Sequence, residues 1–248
     1  MNFWSLESLN PVQRKIVQHK TGPALVIAGA GSGKTRVITH RVAELFQNGI
    51  PASSILLLTF TNKAAKEMVQ RLEKTLENSG EKQKIIHGTF HSVGSRFLRK
   101  YASLLKYKNN FSILDTSDSR DLIKSSIAET IDKTDKYFPK AAVLQNIFSL
   151  AFNRFCTKKT ILEFTYSKRN FHIEQLLSSD YPHFSEHHEI ILEVLSRYRY
   201  KKKVGHVMDF DDLLENWLEL LLRHRESLKL CEQIQYILVD EYQDTNQV

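Results

Sequence analysis

Cysteine is nearly absent from this chain of 248 residues: Cys156 and Cys231 stand alone. They are too few and too far apart for a disulfide framework or a zinc cluster, so two reduced thiols are expected. Long apolar runs are missing as well. Apolar runs such as Ile55 to Leu58 and Leu218 to Leu222, the latter broken by Glu219, fall far short of the roughly twenty residues that a membrane-spanning helix needs. The opening segment, MNFWSLESLN, lacks the basic stretch followed by an apolar core that marks an export signal. A cytoplasmic location with no membrane partner is the default expectation. There is no internal repeat and no low-complexity tract, and 42% hydrophobic with 25% charged residues is the composition of an ordinary globular protein.

Charge is present but unevenly spread. Residues 1–103 hold 15 Lys and Arg against 6 Asp and Glu, residues 104–204 hold 17 against 12, and residues 205–248 hold 3 against 10. A basic excess over the first two hundred residues favours a polyanionic partner, because counterion release from phosphates drives association whatever the sequence. The same excess also suits a merely solvated surface.

Four short apolar runs, Ala24 to Ala28, Ile55 to Phe60, Ile85 to Thr89 and Ile234 to Val239, read as buried parallel strands. Helical patterns over Gly33 to Asn48, Asn62 to Leu76 and Phe90 to Tyr101 follow the first three, and this β-α-β alternation implies a doubly wound α/β sheet. From Leu104 to Val204 apolar positions recur at three- and four-residue spacing, as in Leu122, Ile123, Ile127 and Ile131, or Ile190, Ile191, Val194 and Leu195. A helical insertion is the economical reading. The chain then rejoins the sheet domain through Met208 to Leu222, an amphipathic helix opened by Asp209, Asp211 and Asp212.

Glycine is scarce, nine in all, yet Gly29, Gly31 and Gly33 crowd one stretch, AGAGSGKT, at residues 28–35. A glycine-rich loop between a strand and a helix can turn successive backbone N–H groups toward phosphate oxygens, with Lys34 reaching the outer phosphates and the Thr35 hydroxyl placed for Mg²⁺. Ala28, Gly29, Ala30, Gly31, Ser32, Gly33, Lys34 and Thr35 are the candidate phosphate contacts. The first position departs from the strict pattern, since Ala28 stands where glycine is usual. About two hundred residues on, VDEYQDTN delivers Asp240 and Glu241 at the end of an apolar run, where an α/β sheet presents its ligand crevice. Asp240 is expected to hold the metal with Thr35, and Glu241 to orient or deprotonate an attacking water. The bland alternatives are a glycine-rich turn and a pair of solvated acids.

Four more segments, LNPVQ at 9–13, TFTNKAAKEM at 59–68, GTFHS at 88–92 and DFDDLL at 209–214, stand in order with those two motifs. Together they resemble the N-terminal signature of the UvrD/Rep/PcrA family of superfamily 1 DNA helicases. The resemblance implies a RecA-like P-loop NTPase domain (1A) over residues 1–103 and 205–248, incomplete at its C-terminal end, interrupted by an all-helical insertion domain (1B) over 104–204. It also implies ATP and Mg²⁺ as cofactors, and an enzyme coupling ATP hydrolysis to 3′-to-5′ movement on single-stranded DNA and at duplex junctions, in repair or replication. Gln13 matches the family's adenine-reading glutamine and Arg36 its base-stacking arginine; read without the family, they are an exposed helical residue and a surface charge. Thr59, Phe60, Thr61, Asn62, Thr89, Phe90 and His91 match its single-strand contacts, for which hydroxyls, an amide and an exposed ring have suitable chemistry. Taken singly, the two phenylalanines read as core aromatics, and His91 as a core histidine or part of a capped helix start.

Three expectations go with the resemblance. The 248 residues alone are expected to bind nucleotide weakly and not to unwind DNA, because the family's far-side arginines fall outside them. Between residues 24–28 and 234–239, where RecA-like topology normally inserts a later strand, either a gap or some other filling element is expected, and not a regular ladder. The alternative readings are the helicase arm of a helicase-nuclease, a non-catalytic DNA-binding module, and an RNA helicase or small-molecule kinase, the last suiting the phosphate loop but not TFTNKAAKEM or GTFHS. Two further patterns stay open. RYRYKKK at 197–203 interleaves basic and aromatic residues as a nucleic-acid surface would, yet equally suits a solvated helix end. His183, His187 and His188 have only superficial metal-ligand spacing and read as a polar surface loop.

Overall fold

A computed structural model describes residues 5–76, 85–131, 136–154, 166–224 and 232–245; Cys156 and Cys231 lie outside them. The described chain forms two compact units, residues 5–93 with 232–245 and residues 94–224.

The first unit is built on a parallel sheet of order β2-β1-β5, made of β1 (Ile55–Thr59), β2 (Ile86–Thr89) and β5 (Tyr236–Val239). β1 is buried along its whole length, as a central strand flanked by helices must be. Leu56 to Thr59 pair in register with Ile86 to Thr89, and Ile55 to Leu58 with Tyr236 to Val239. α1 (Pro11–Val17), α2 (Lys34–Gln47) and α3 (Asn62–Leu76) complete the unit, and α4 (Phe90–Tyr101) starts within it. Val42 and Leu45 of α2 and Met68 and Leu72 of α3 bury against Ile55 and Leu57, the apolar stripe of each helix meeting the sheet. Leu9, Val17 and Val37 clamp α1 to α2.

Residues 24–28 correct the four-strand expectation. They form no strand, and Leu25, Val26 and Ile27 are 72%, 41% and 91% exposed. Apolar, β-branched composition is not sufficient for a strand, because a ladder also needs a neighbour whose N–H and C=O groups complete it. Among the described residues no ladder joins 24–28 to β5; β5 pairs with β1 alone, and Ile237 is 62% exposed.

The second unit holds the end of α4, then α5 (Thr116–Thr130), α6 (Ala141–Arg154), α7 (Tyr166–Asp180), α8 (His188–Gly205) and α9 (Phe210–Arg223). A two-residue parallel pair, β3 (Ser112–Ile113) with β4 (Val207–Met208), is its only strand pairing among the described residues. Ile123, Leu144, Ile147, Leu176, Ile191, Val194 and Leu195, the positions of the helical periodicity and their partners, form one core. Asp115 caps α5 by accepting from the Ser117 and Asp118 N–H groups, and Asp209 with Asp212 forms a capping box at the start of α9. Gly94 is required by close packing: a β-carbon there would come within 2.9 Å of the Trp217 ring, which stacks on Phe97.

Candidate functional site

β1, β2 and β5 run parallel, so their C-terminal ends share one edge of the sheet, and each delivers one sequence motif there. Asp240 follows β5 directly, is buried, and donates its N–H to the Leu58 carbonyl at 2.9 Å. Its side chain does two things. Oδ1 accepts from the Glu241 N–H at 3.0 Å, and Oδ2 accepts from the Thr35 hydroxyl at 3.4 Å. Residues 205 positions apart are thereby joined, and a hydroxyl and a carboxylate, both hard oxygen donors, converge as Mg²⁺ chemistry requires.

The loop ahead of α2 turns inward on itself. Gly31 (φ 75°) and Gly33 (φ 86°) adopt the left-handed conformation that a side chain would oppose, and Gly33 is the N-cap of α2. The Gly29 carbonyl accepts from the Ser32 hydroxyl at 2.7 Å, the Ser32 N–H at 3.4 Å and the Lys34 Nζ at 3.4 Å. Lys34 also reaches the Ala28 carbonyl at 3.5 Å. Ala30 is exposed at the turn. An N-terminal helix end with oriented N–H groups and an adjacent ammonium is an anion-binding arrangement.

LNPVQ sits against this loop. Gln13 completes a capping box with Asn10 at the start of α1, and its Nε2 donates to the Ser32 carbonyl at 2.9 Å. Arg36 is exposed, with Nη2 donating to the Ser8 carbonyl at 3.1 Å. Gln13, Ser32, Gly33, Lys34, Thr35, Arg36 and Asp240 therefore belong to one neighbourhood of the first unit.

Glu241 takes φ 52°, left-handed and uncommon for a residue with a side chain, which turns the chain sharply out of β5. Its Oε2 accepts from the Gln243 amide. Gln243 is not singled out by any sequence pattern beyond its place two residues after Glu241 in VDEYQDTN; the 3₁₀ turn over Tyr242–Asp244 brings the two together.

The candidate nucleic-acid residues divide by exposure. Thr59 and Thr89 are buried; the Thr59 hydroxyl has no hydrogen-bond partner among the described residues, and the Thr89 hydroxyl accepts from the Ser92 N–H at the start of α4. Phe60 is 54% exposed. Thr61 caps α3, its hydroxyl accepting from the Ala64 N–H at 3.1 Å, and Asn62 is exposed. Phe90 and His91 are half-buried. Because Thr59 and Thr89 are register partners, Phe60 and Phe90 leave adjacent strands at the same level.

RYRYKKK departs from both sequence readings at its buried positions. Lys202 is buried, with Nζ 2.6 Å from Asp209 Oδ2 and 2.7 Å from Asp212 Oδ2, and the buried Tyr198 donates its hydroxyl to the same Asp209 oxygen. Lys201 pairs with Glu129, Lys203 donates to the Leu105 carbonyl, and Arg197 pairs with Glu193. His183 and His187 lie in a 3₁₀ turn, in ring contact with Phe184 and Phe138. No group of three or more His, Cys, Asp or Glu side chains able to hold a metal occurs among the described residues.

The first unit is thus a parallel-sheet α/β unit whose glycine-rich loop caps a helix beside a carboxylate at a strand end. The family model described as UvrD/REP helicase N-terminal domain matches residues 9–248, and the chain belongs to that family. It is 37% identical over 251 residues to the ATP-dependent DNA helicase PcrA of Bacillus subtilis, an alignment covering 99% of this chain and 31% of that protein. It is 37% identical over 240 residues to the ATP-dependent DNA helicase Rep of Escherichia coli, covering 96% of this chain and 32% of Rep. It is 34% identical over 243 residues to PcrA of Staphylococcus aureus strain Mu50, covering 97% and 30%. The chain thus spans about a third of the length of these relatives. No described helix is long and apolar enough to cross a membrane.

Proposed function

We propose that the protein containing this chain is an ATP-dependent DNA helicase that moves 3′ to 5′ on single-stranded DNA and at duplex junctions, acting in repair or replication in the cytoplasm. The observation that carries the reading is the bond from the Thr35 hydroxyl to the Asp240 carboxylate, which joins the two nucleotide motifs in one site. The relatives named above are ATP-dependent DNA helicases, and they lend the reaction class. The fold proposed with it is a RecA-like domain over residues 1–103 and 205–248 with a helical insertion over 104–204.

In this reading residues 28–35 receive the triphosphate, and Lys34 exchanges its loop carbonyls for the outer phosphates. Gln13 reads the adenine edge and Arg36 stacks on the base. Thr35 and Asp240 are the residues that would hold Mg²⁺, which when bound neutralises phosphate charge and fixes its geometry. Glu241, held by Gln243, aligns the attacking water and takes its proton. Thr61 and Asn62 contact the DNA backbone, Phe60 and Phe90 offer stacking faces, and His91 lies beside them; the buried Thr59 and Thr89 support those contacts from beneath. The 248 residues by themselves are proposed to bind nucleotide weakly and not to unwind DNA.

The test uses the intact protein. Glu241→Gln is expected to retain ATP affinity within a few-fold while DNA-stimulated hydrolysis falls by roughly 10²-fold or more, the scale of a lost general base. Lys34→Ala is expected to lose ATP binding itself. Hydrolysis by Glu241→Gln at the unaltered rate would sink the assignment.

A further inference from the structure

Thr59 ends β1 with its hydroxyl buried and, among the described residues, without a hydrogen-bond partner. Ile55 and Leu57 of β1 and Tyr236 and Leu238 of β5 pack on the side of the sheet where Val42 and Leu45 of α2 lie. Side chains alternate along a strand, so Thr59, two residues after Leu57, and Asp240, two after Leu238, stand on that same side. The bond from the Asp240 N–H to the Leu58 carbonyl carries the ladder one step past the Leu58–Val239 pair, which makes Thr59 and Asp240 neighbours across adjacent strands. On its other flank Thr59 is in register with Thr89. Both flanking side chains are satisfied: Thr89 accepts from the Ser92 N–H at 3.2 Å, and Asp240 accepts from the Glu241 N–H and the Thr35 hydroxyl. The middle hydroxyl of this row, in a residue only 1% exposed, is the one left over.

A buried hydroxyl left without a partner costs free energy, and folded proteins keep few of them. Its position says what it serves. Thr59 stands beside the carboxylate that meets Thr35, on the side of the sheet from which α2 presents that residue. Mg²⁺ gives up its waters reluctantly and keeps several when it binds, so a site that holds it through few side chains must also offer acceptors to those waters. A threonine oxygen is such an acceptor, uncharged and fixed by a buried strand. We propose that Thr59 is a positioning residue of the nucleotide site: its Oγ1 accepts a hydrogen bond from a water of the hydrated cation that Thr35 and Asp240 would hold. This inference rests on the nucleotide site proposed above and adds a third side chain to its metal side. The hydroxyl acts through the water and not as a direct ligand, so its effect is that of one hydrogen bond, about three- to tenfold in affinity.

The experiment is calorimetry on the intact protein with adenylyl imidodiphosphate, a non-hydrolysed ATP analogue, once with saturating Mg²⁺ and once in excess chelator. The readout is the factor by which Mg²⁺ tightens binding. Thr59→Val keeps the shape and removes the hydroxyl; it is expected to shrink that factor about three- to tenfold while binding in chelator stays unchanged. Thr59→Ser, which restores the hydroxyl, is expected to restore the factor. The thermal midpoint of Thr59→Val is expected to equal or exceed the unaltered one, because no bond within the fold is lost. An unaltered Mg²⁺ factor in Thr59→Val overturns the assignment, as does an equal loss of affinity with and without Mg²⁺, which a merely structural role would give. If Thr59→Val does not fold, Thr59→Cys, similar in size and a weak hydrogen-bonding group, is read against the same outcomes. Lys34→Ala separates the two levels: analogue binding that survives it removes the nucleotide site and the Thr59 role together, whereas binding lost in Lys34→Ala with an unaltered Mg²⁺ factor in Thr59→Val removes the Thr59 role alone.

Discussion

Asp240 and Asp211 show how neighbours decide what a poorly solvated carboxylate does. Asp240 is buried where it accepts from Glu241 N–H and the Thr35 hydroxyl, so its burial is compensated by donors that belong to the site. Asp211, in the second unit, is hydrogen-bonded to the Ser149 side chain and, at 3.5 Å, accepts from the Asn153 amide, and it stands near the charge of Asp209. Burial pushes its carboxyl above the ordinary value of 3.8, and Asp209 adds to the shift. A carboxyl raised in the folded state binds its proton more tightly there than in the unfolded chain. Stability is then fully present below the unfolded value and falls as pH rises through the folded one. Asp211→Asn is expected to raise the unfolding midpoint at neutral pH, with the gain shrinking to nothing as pH falls below 3.8. Thermal melts across that range check it; a gain that is independent of pH would show that the charge is not the cause.

At the scale of elements, α8 carries the clearest difference between sequence and structure. A run of five basic residues with two tyrosines reads as a surface, but α8 packs one side of it inward. Lys202 pairs with Asp209 and Asp212, the two residues that also cap α9, so the end of one helix and the start of the next share one buried charge cluster. Lys201 and Lys203 reach partners 72 and 98 positions away. No local pattern reveals contacts at such separation; periodicity tells which side of a helix is apolar, not which lysine finds a carboxylate. Lys202→Met is expected to destabilise the protein by about 3–5 kcal/mol, because Asp209 and Asp212 would remain buried without their cation. Chemical denaturation measures it, and a loss below about 1 kcal/mol would mean that solvent reaches the cluster. Residues 24–28 make the complementary point for strands. Their apolar pattern was legible, and their pairing was not, since a ladder is a property of two segments.

For the whole molecule, the net charge of +7 is concentrated in residues 1–204 against an acidic last segment. With single-stranded DNA as the partner, the affinity of the intact protein is expected to fall by at least about tenfold between roughly 50 and 200 mM salt. Titrations at several salt concentrations give the slope, and a flat response would remove phosphate contacts from the proposed interface. The residues of AGAGSGKT and VDEYQDTN and the helices over 34–47, 62–76 and 90–101 were readable from the chain itself, because short-range spacing and local backbone demands favour them, and the apolar runs of β1, β2 and β5 were readable as candidate strands. Only the tertiary structure decided that Thr35 meets Asp240, that Gln13 lies on Ser32, and that Lys202 turns inward. Those depend on which distant segments the sheet register and the helix packing bring within hydrogen-bonding reach, and a one-dimensional pattern carries no distances.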